Sequence, residues 1–394
     1  MITKRKLIDI VKNSKLIYLT YYYLISPILS IAGLFIKAQK MECLFVCYGG
    51  RKYGDNVRPI YLQMLMDTRF RNWKFIWAFR DPNEFELPDK IRTKKVKIDS
   101  LEFFYYALRA KCWITNVSVQ RGLSFKNRGT LYVNTWHGVP LKRIRCCVKD
   151  GFNVRTAEKF DLIFSEGTYD SKISVPAFQV KEKQIKITGY PRNDIMFDES
   201  LDLNKKVRRK YGLHDERIVL YAPTFRDYIK NDSGGFTFQK KLSPEKFQNT
   251  LGDQYKLLVR AHGAIEDHST SDSSCVDVSD YPDVEDLLVA ADILVSDYSG
   301  IIFDFSLLEK PIICFIYDLE TYKKERGFFV DIEHFLPFKK CNTEEELYDA
   351  IKNIDIEESR NQARLFQKQC GLVKKGAAKN AVNEIYLALA SQFK

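Results

Sequence analysis

The sequence predicts an α/β fold of two Rossmann-type lobes facing a cleft. Three observations carry this expectation. From about residue 41 onward, short apolar runs of strand length alternate with helix-length amphipathic stretches, the mark of parallel sheets covered on both faces. The alternation occurs twice, with a break around residues 188–215. The apolar runs also end in unusually polar and specific loops, and open parallel sheets bind their ligands just outside the carboxyl ends of the strands. A length of 394 residues suits two domains at ~100–200 residues each, and 45% hydrophobic content can bury both cores.

The first forty residues stand apart. Lys4, Arg5, Lys6, Lys12, Lys15, Lys37 and Lys40 face Asp9 alone, so a net of +6 out of the chain's +11 sits in this segment. Leu16–Ile36 carries no charge and is long enough to cross a bilayer at ~1.5 Å per residue. Pro27 interrupts it, however, Tyr18, Tyr21, Tyr22 and Tyr23 favour the headgroup level, and lysines flank both ends. Residues 1–40 are therefore expected to form a membrane-associating helical segment lying in the interface. A spanning helix and a buried core helix are the alternatives. A spanning helix with its basic end inside would put the thiol-bearing remainder outside the cell, and Phe35-Ile36-Lys37-Ala38 makes a poor signal-cleavage site.

The N-terminal lobe is expected over residues 41–188. Its strands are Cys43–Tyr48, Lys74–Phe79, Cys112–Thr115, Leu131–Val133, Leu162–Phe164 and Ile185–Ile187, with helices at Val57–Met66 and Leu101–Ala110. The second lobe is expected over residues 189–374. Its strands are Ile218–Tyr221, Lys256–Val259, Ile293–Val295 and Ile312–Ile316, with helices near 243–251, 283–291, 301–309 and 344–354. A last helix within 375–394 is expected to pack back across the first lobe.

Several function classes fall away. More than half of the excess charge lies beside an apolar segment, where anionic lipid is a better partner than nucleic acid. Nine cysteines, an odd number without a C-x-x-C, indicate reduced buried thiols rather than a disulfide framework or zinc site. No 20–50-residue repeat occurs, and one apolar stretch does not make a polytopic helical membrane protein.

Five strand ends carry the chemistry. They run into Asn134-Thr-Trp-His-Gly-Val-Pro140, Gly189-Tyr-Pro-Arg-Asn-Asp194, Ala222-Pro-Thr-Phe-Arg226, Arg260-Ala-His262 and Ser296-Asp-Tyr-Ser-Gly300, with Asp304 one helical turn further. There is no G-x-G-x-x-G, Walker loop, G-x-S-x-G or H-E-x-x-H, and no Asp-x-Asp beside these strand ends. Arg192, Arg260 and His262 supply fixed positive charge instead, which suits an anionic diphosphate held largely without a structural metal. His137, followed by Gly138, is placed as a general base, since imidazole titrates near ~6.5.

The same motifs resemble the CDP-glycerol glycerophosphotransferases, the teichoic-acid primases and polymerases of bacterial envelopes. The resemblance rests on Thr135-Trp-His-Gly-x-Pro-Leu-Lys142, Gly189-x-Pro-Arg-x-Asp194, Tyr221-Ala-Pro-Thr224, Arg260-x-His262, Ser296-Asp-Tyr-Ser299 with Phe303-Asp-Phe305, and Arg326-Gly-Phe-Phe-x-Asp331. It implies a GT-B architecture and peripheral attachment to the cytoplasmic face of the cell membrane. It also implies transfer of glycerol phosphate from CDP-glycerol to an undecaprenyl-diphosphate-linked saccharide, with release of CMP. His137 and His262 would be catalytic. Substrate would lie on Trp136, Gly138, Val139, Pro140, Arg192, Pro223, Thr224, Arg260, Ala261, Ser299, Gly300 and Asp304. No metal ligands and no resident cofactor are implied, and Mg2+ is left open.

Two positions depart from the family pattern: Gly300 stands where a second serine is common, and Val139 where threonine is common. With roughly 40 residues ahead of the first strand, a primase-like enzyme is expected ahead of a polymerase. The alternatives are a CDP-ribitol ribitolphosphotransferase, a GT-B glycosyltransferase using a nucleotide sugar, and a basic, non-enzymatic membrane adaptor.

Overall fold

The structure, a computed structural model, describes residues 15–36, 38–148, 158–226, 228, 241–261 and 274–391. The N-terminal lobe holds β1 (Gln39–Val46), β2 (Lys74–Phe79), β3 (Thr93–Lys97), β4 (Ala110–Thr115), β5 (Leu131–Asn134), β6 (Leu162–Ser165) and β7 (Ile185–Ile187). These pair in parallel in the order β3-β2-β1-β4-β5-β6-β7. The second lobe holds β8 (Arg217–Tyr221), β9 (Tyr255–Val259), β10 (Cys275–Asp277), β11 (Ile293–Ser296), β12 (Ile312–Phe315) and β13 (Lys339–Cys341), in the order β10-β9-β8-β11-β12-β13. Its pairs are parallel as well. The strand order reverses between β1 and β4 in one sheet and between β8 and β11 in the other. Those two switch points open the crevices in which doubly wound sheets hold ligands.

Both faces of each sheet are buried, which is why the inner strands read as unbroken apolar runs. In β4 all six residues are buried. On one face of the first sheet Phe45, Phe75 and Trp77 pack with Tyr61 of the helix Val57–Met66, with ring centroids 5.2–5.9 Å apart. The helix Ala377–Ser391 completes that face, adding Ala381, Val382, Ile385 and Leu389 to the same core. The chain thus returns from the second lobe to close the first. Asp194 fixes this return by accepting from the backbone N–H groups of Ala377 (3.0 Å) and Ala378 (2.8 Å) at the start of that helix.

The helix Lys15–Phe35 lies against the other face. Ile25, Leu29 and Ala32 pack on the core, the Tyr18 hydroxyl donates to Gly122 O (2.7 Å), and Ser26 Oγ accepts from Ser124 N (3.0 Å). Its outer side leaves Leu16, Tyr23, Leu24, Ile28, Ile31, Leu34 and Phe35 exposed. The helix is therefore docked on the lobe along one side and apolar towards solvent along the other.

Candidate active site

The site is assembled from loops that leave the strands at the two switch points. After β5, Trp136–Pro140 forms a tight loop. Trp136 takes φ +49°, a left-handed conformation that costs a non-glycine residue ~1–3 kcal/mol and persists where its surroundings over-determine it. Asn134 Oδ1 accepts from Trp136 N (2.7 Å), and Asn56 Nδ2 donates to Trp136 O (3.3 Å), so both backbone polar groups of Trp136 are held.

His137 follows, half-buried, with its ring 4.0 Å from that of Trp136 and 5.6 Å from that of Tyr48, centroid to centroid. Its Nδ1 lies 2.9 Å from the backbone carbonyl of Asn116. A carbonyl can only accept, so Nδ1 carries the proton and Nε2 is left as the basic nitrogen. Burial lowers the imidazole pKa below its ordinary value, only partly opposed by the Asn116 carbonyl and the nearby Asp55 carboxylate. The ring is consequently neutral and ready to accept a proton at neutral pH.

Arg192, at the start of the turn Pro191–Phe197, is buried among three carboxylates rather than standing open on a rim. Its Nη2 meets Asp304 Oδ2 at 2.8 Å, its Nη1 meets Asp55 Oδ1 at 3.2 Å, and its Nε lies 3.5 Å from Glu285 Oε1. Asp55 belongs to the first lobe, Asp304 and Glu285 to the second, so the guanidinium bonds the lobes together. Burial opposes ionisation of Asp55, but Arg192 and the Tyr48 hydroxyl outweigh it and hold the carboxyl below the usual range. For Glu285 burial wins and pushes the carboxyl up to about 7.

The second lobe brings its own set to the β8/β11 switch point. Thr224 N donates to Asp297 Oδ1 (2.8 Å), and Asp297 Oδ2 is paired with Arg226 (2.8 Å), which also binds Asp318 (2.8 Å). Thr224 Oγ1 is buried without a hydrogen-bond partner among the described residues. Pro223 precedes it, half-buried. Arg260 follows β9 and donates through Nη1 to the carbonyls of Val278 and Tyr281, both at 3.0 Å. No carboxylate among the described residues pairs with it. Ala261 N donates to Ser279 Oγ (2.8 Å). His262 lies outside the described residues.

Ser299 and Gly300 lead into the helix Ile301–Ser306, which carries Asp304. A Cβ placed on Gly300 would stand 2.6 Å from Val139 O, and one on Gly138 would stand 3.9 Å from Arg192 Nη2. The structure therefore joins the His137 loop, Arg192, Asp304 and Gly300 across the two lobes.

Three residues that sequence reading passed over also belong here. Asn116 accepts from Tyr48 N (2.8 Å), donates to Asp55 Oδ2 (3.0 Å) and orients His137 through its carbonyl. Asn56 accepts from Arg192 N (3.2 Å), and Asp55 holds Arg192. The signal was available: Asp55 and Asn56 follow β1 and Asn116 follows β4, the two strands flanking the first switch point. Among the described residues, no group of three or more His, Cys, Asp or Glu side chains could hold a metal ion.

Comparison with known proteins adds the following. A family model described as CDP-glycerol:poly(glycerophosphate) glycerophosphotransferase matches residues 30–387. The chain is 30% identical over 380 residues to a teichoic acid poly(glycerol phosphate) polymerase of Bacillus spizizenii, covering 91% of this chain and 95% of the relative. It is 31% identical over 342 residues to the Staphylococcus epidermidis protein of the same description, covering 82% of this chain but 47% of that relative's length. A solved structure of the wall teichoic acid polymerase TagF, a histidine-to-asparagine variant soaked with CDPG, superposes with a TM-score of 0.79 at 27% identity. That match covers 99% of this chain and 97% of the other.

Proposed function

The chain belongs to the CDP-glycerol:poly(glycerophosphate) glycerophosphotransferase family, and from that premise we propose that it transfers glycerol phosphate from CDP-glycerol to a hydroxyl of a lipid-linked acceptor at the cytoplasmic membrane surface. The observation that carries this reading is the 2.9 Å contact between His137 Nδ1 and Asn116 O, which leaves Nε2 as a positioned base. Nε2 takes the proton of the acceptor hydroxyl, the acceptor oxygen forms its bond to the glycerol-bearing phosphorus, and the diphosphate P–O bond breaks as CMP leaves. Arg260, which pairs with no carboxylate among the described residues, and His262, two residues on in sequence, offset the charge that develops on the diphosphate. Pro223, the Thr224 hydroxyl, which has no partner among the described residues, Ala261 and Ser299 complete the donor side. Trp136, Gly138, Val139 and Pro140 face it from the first lobe.

Arg192 is assigned a different part. With three carboxylates on its nitrogens, it sets the relation of the lobes through Asp55 and Asp304. Gly300 contributes by letting the two loops meet.

The helix Lys15–Phe35 fits a helix that lies in the bilayer interface. Tyr18 and Ser26 bond it to the lobe while its outer side exposes Leu16, Leu24, Ile28, Ile31, Leu34 and Phe35, and the basic residues of 1–40 suit anionic headgroups.

Incubation with labelled CDP-glycerol, CDP-ribitol and UDP-sugars, each with a lipid acceptor, tests the reading. CMP release and product mass increments of glycerol phosphate from CDP-glycerol alone are expected; a sugar increment would refute it. A primase-like enzyme leaves one or a few units on the acceptor. A longer ladder is the second reading, favoured by the 95% coverage of a relative described as a polymerase.

A further inference from the structure

The motif Arg326-Gly-Phe-Phe-x-Asp331 takes no part in the chemistry described above, yet it makes main-chain contact with the catalytic loop's continuation. Phe328 forms an antiparallel bridge with Lys142, Phe329 N donates to Leu141 O (2.9 Å), and Arg143 N donates to Gly327 O (3.0 Å). A first-lobe segment that begins directly after Pro140 is thereby clasped to the second lobe. Gly327 has φ +76°, and a Cβ there would stand 3.2 Å from Arg143 Cδ, so glycine is needed both for the turn and for the arginine stem that crosses it.

The clasp forms one wall of a cavity of about 360 Å³ at the seam between the lobes, within the ~300–1,000 Å³ of ligand pockets. Arg143 enters from the first lobe; Lys323 and Arg326 enter from the second. Arg143 gives its Nε to Phe328 O (3.3 Å). Neither Arg143 nor Lys323 lies within ion-pair distance of a carboxylate among the described residues, whereas Arg58, Arg192 and Arg226 near the cleft do. Asp331 and Glu333 line the cavity too; Asp331 accepts from Glu333 N (3.1 Å) and pairs with His334 (2.8 Å), and His334 first, with Lys323 adding to it, holds its carboxyl below the usual range.

We propose that this seam cavity is an anion subsite in which Arg143 and Lys323, one from each lobe, hold a phosphate group of the acceptor or of the product just formed. The inference rests on the glycerophosphotransferase reading, under which every transfer leaves a phosphodiester on the acceptor side of His137. Arg143 lies six residues from His137 and three from the end of the site loop. Two cations contributed by different lobes also make binding of the anion sensitive to the distance between the lobes.

The test compares two lipid acceptors that differ only in a terminal glycerol phosphate, with the full chain and its Arg143→Ala/Lys323→Ala variant. Both side chains are exposed and neither packs in a core, so the variant keeps the fold. KM for the phosphate-bearing acceptor is expected to rise about tenfold or more, as when charge-assisted contacts to phosphate are lost. The acceptor without phosphate should show a far smaller change, and Arg143→Lys should recover part of the loss. An equal change with both acceptors, or no change with either, overturns the proposal. Calorimetry of a short glycerol phosphate oligomer against both proteins gives a reading independent of turnover. Equal affinity for the two proteins overturns the subsite even if transfer is seen. Weaker binding to the variant supports it even if the donor proves to be something other than CDP-glycerol.

Discussion

Val139 and Gly300 touch each other across the lobes: a Cβ on Gly300 would lie 2.6 Å from the carbonyl oxygen of Val139. Backbone φ at Gly300 is −61°, so no left-handed conformation demands glycine there. The requirement is the close approach of two loops, one carrying His137 and the other Asp304.

Gly300→Ala tests this approach. The added methyl meets a backbone atom, not a flexible side chain, so the loops must part, at a cost on the order of 1–3 kcal/mol for overpacking. A lower Tm and a raised KM for CDP-glycerol are expected. Val139→Ala in the same chain should not restore either, because the clashing atom is a main-chain oxygen. An unchanged Tm would show that the loops do not pack this closely.

Asp55→Asn removes one of the three carboxylates ion-paired with Arg192 and, among the described residues, the only such partner from the first lobe. Breaking a buried pair costs ~3–5 kcal/mol when a charge is left uncompensated. Arg192 keeps Asp304, so the loss is expected at the lower end of that range, measured as a shift in the urea midpoint. Equal stability would mean that the lobes are held by other contacts.

Glu285 gives the site a pH signature. Burial raises its pKa from the ordinary 4.5 to about 7. The folded state then binds a proton that the unfolded state releases, so the contribution is fully present below 4.5 and disappears as pH rises through about 7. Glu285→Gln cannot lose a proton. Its stability relative to the parent chain should therefore increase across that window, read from Tm at successive pH values. A difference that stays flat with pH would contradict the burial-driven shift.

On the N-terminal helix, Leu24→Glu/Ile28→Glu/Ile31→Glu places charge on the exposed stripe without touching the docked side. The variant should keep its Tm yet leave the membrane fraction and bind anionic vesicles less well. Deleting residues 1–36 is the harsher experiment, since it also strips Ile25, Leu29 and Ala32 from the first lobe's core. If the triple variant still sediments with vesicles, the membrane contact lies elsewhere.

The regular elements were legible where the local signal and the tertiary outcome agree. Lys74–Phe79 and Val57–Met66 occur with the expected bounds, because central strands and amphipathic helices announce themselves by periodicity. Of the edge strands, Ile185–Ile187 was expected with its bounds, whereas three others were not. Thr93–Lys97, Cys275–Asp277 and Lys339–Cys341 are short and half-exposed, and edge strands lack the apolar runs by which central strands are read.

Strand-end logic brought His137, Arg192, Arg260 and Asp304 to one rim. It could not say how Arg192 would be spent. Its partners Asp55 and Glu285 lie 137 and 93 residues away in sequence, and only packing reveals that three carboxylates converge on one guanidinium. Asn116 was hidden for another reason, since it orients His137 with its main-chain carbonyl, a group that every residue possesses.

With His137 Nε2 as the base, the most direct measurement is the rate of CMP release from CDP-glycerol, with acceptor, by the parent chain and by His137→Ala. The loss of a positioned acid–base group predicts a fall in kcat of at least ~100-fold. In the parent chain the acid limb of the rate should lie below the ~6.5 of free imidazole, because burial keeps the ring neutral. A His137→Ala enzyme that retains about half its activity, far above the ~100-fold loss expected of a base, would contradict the assignment.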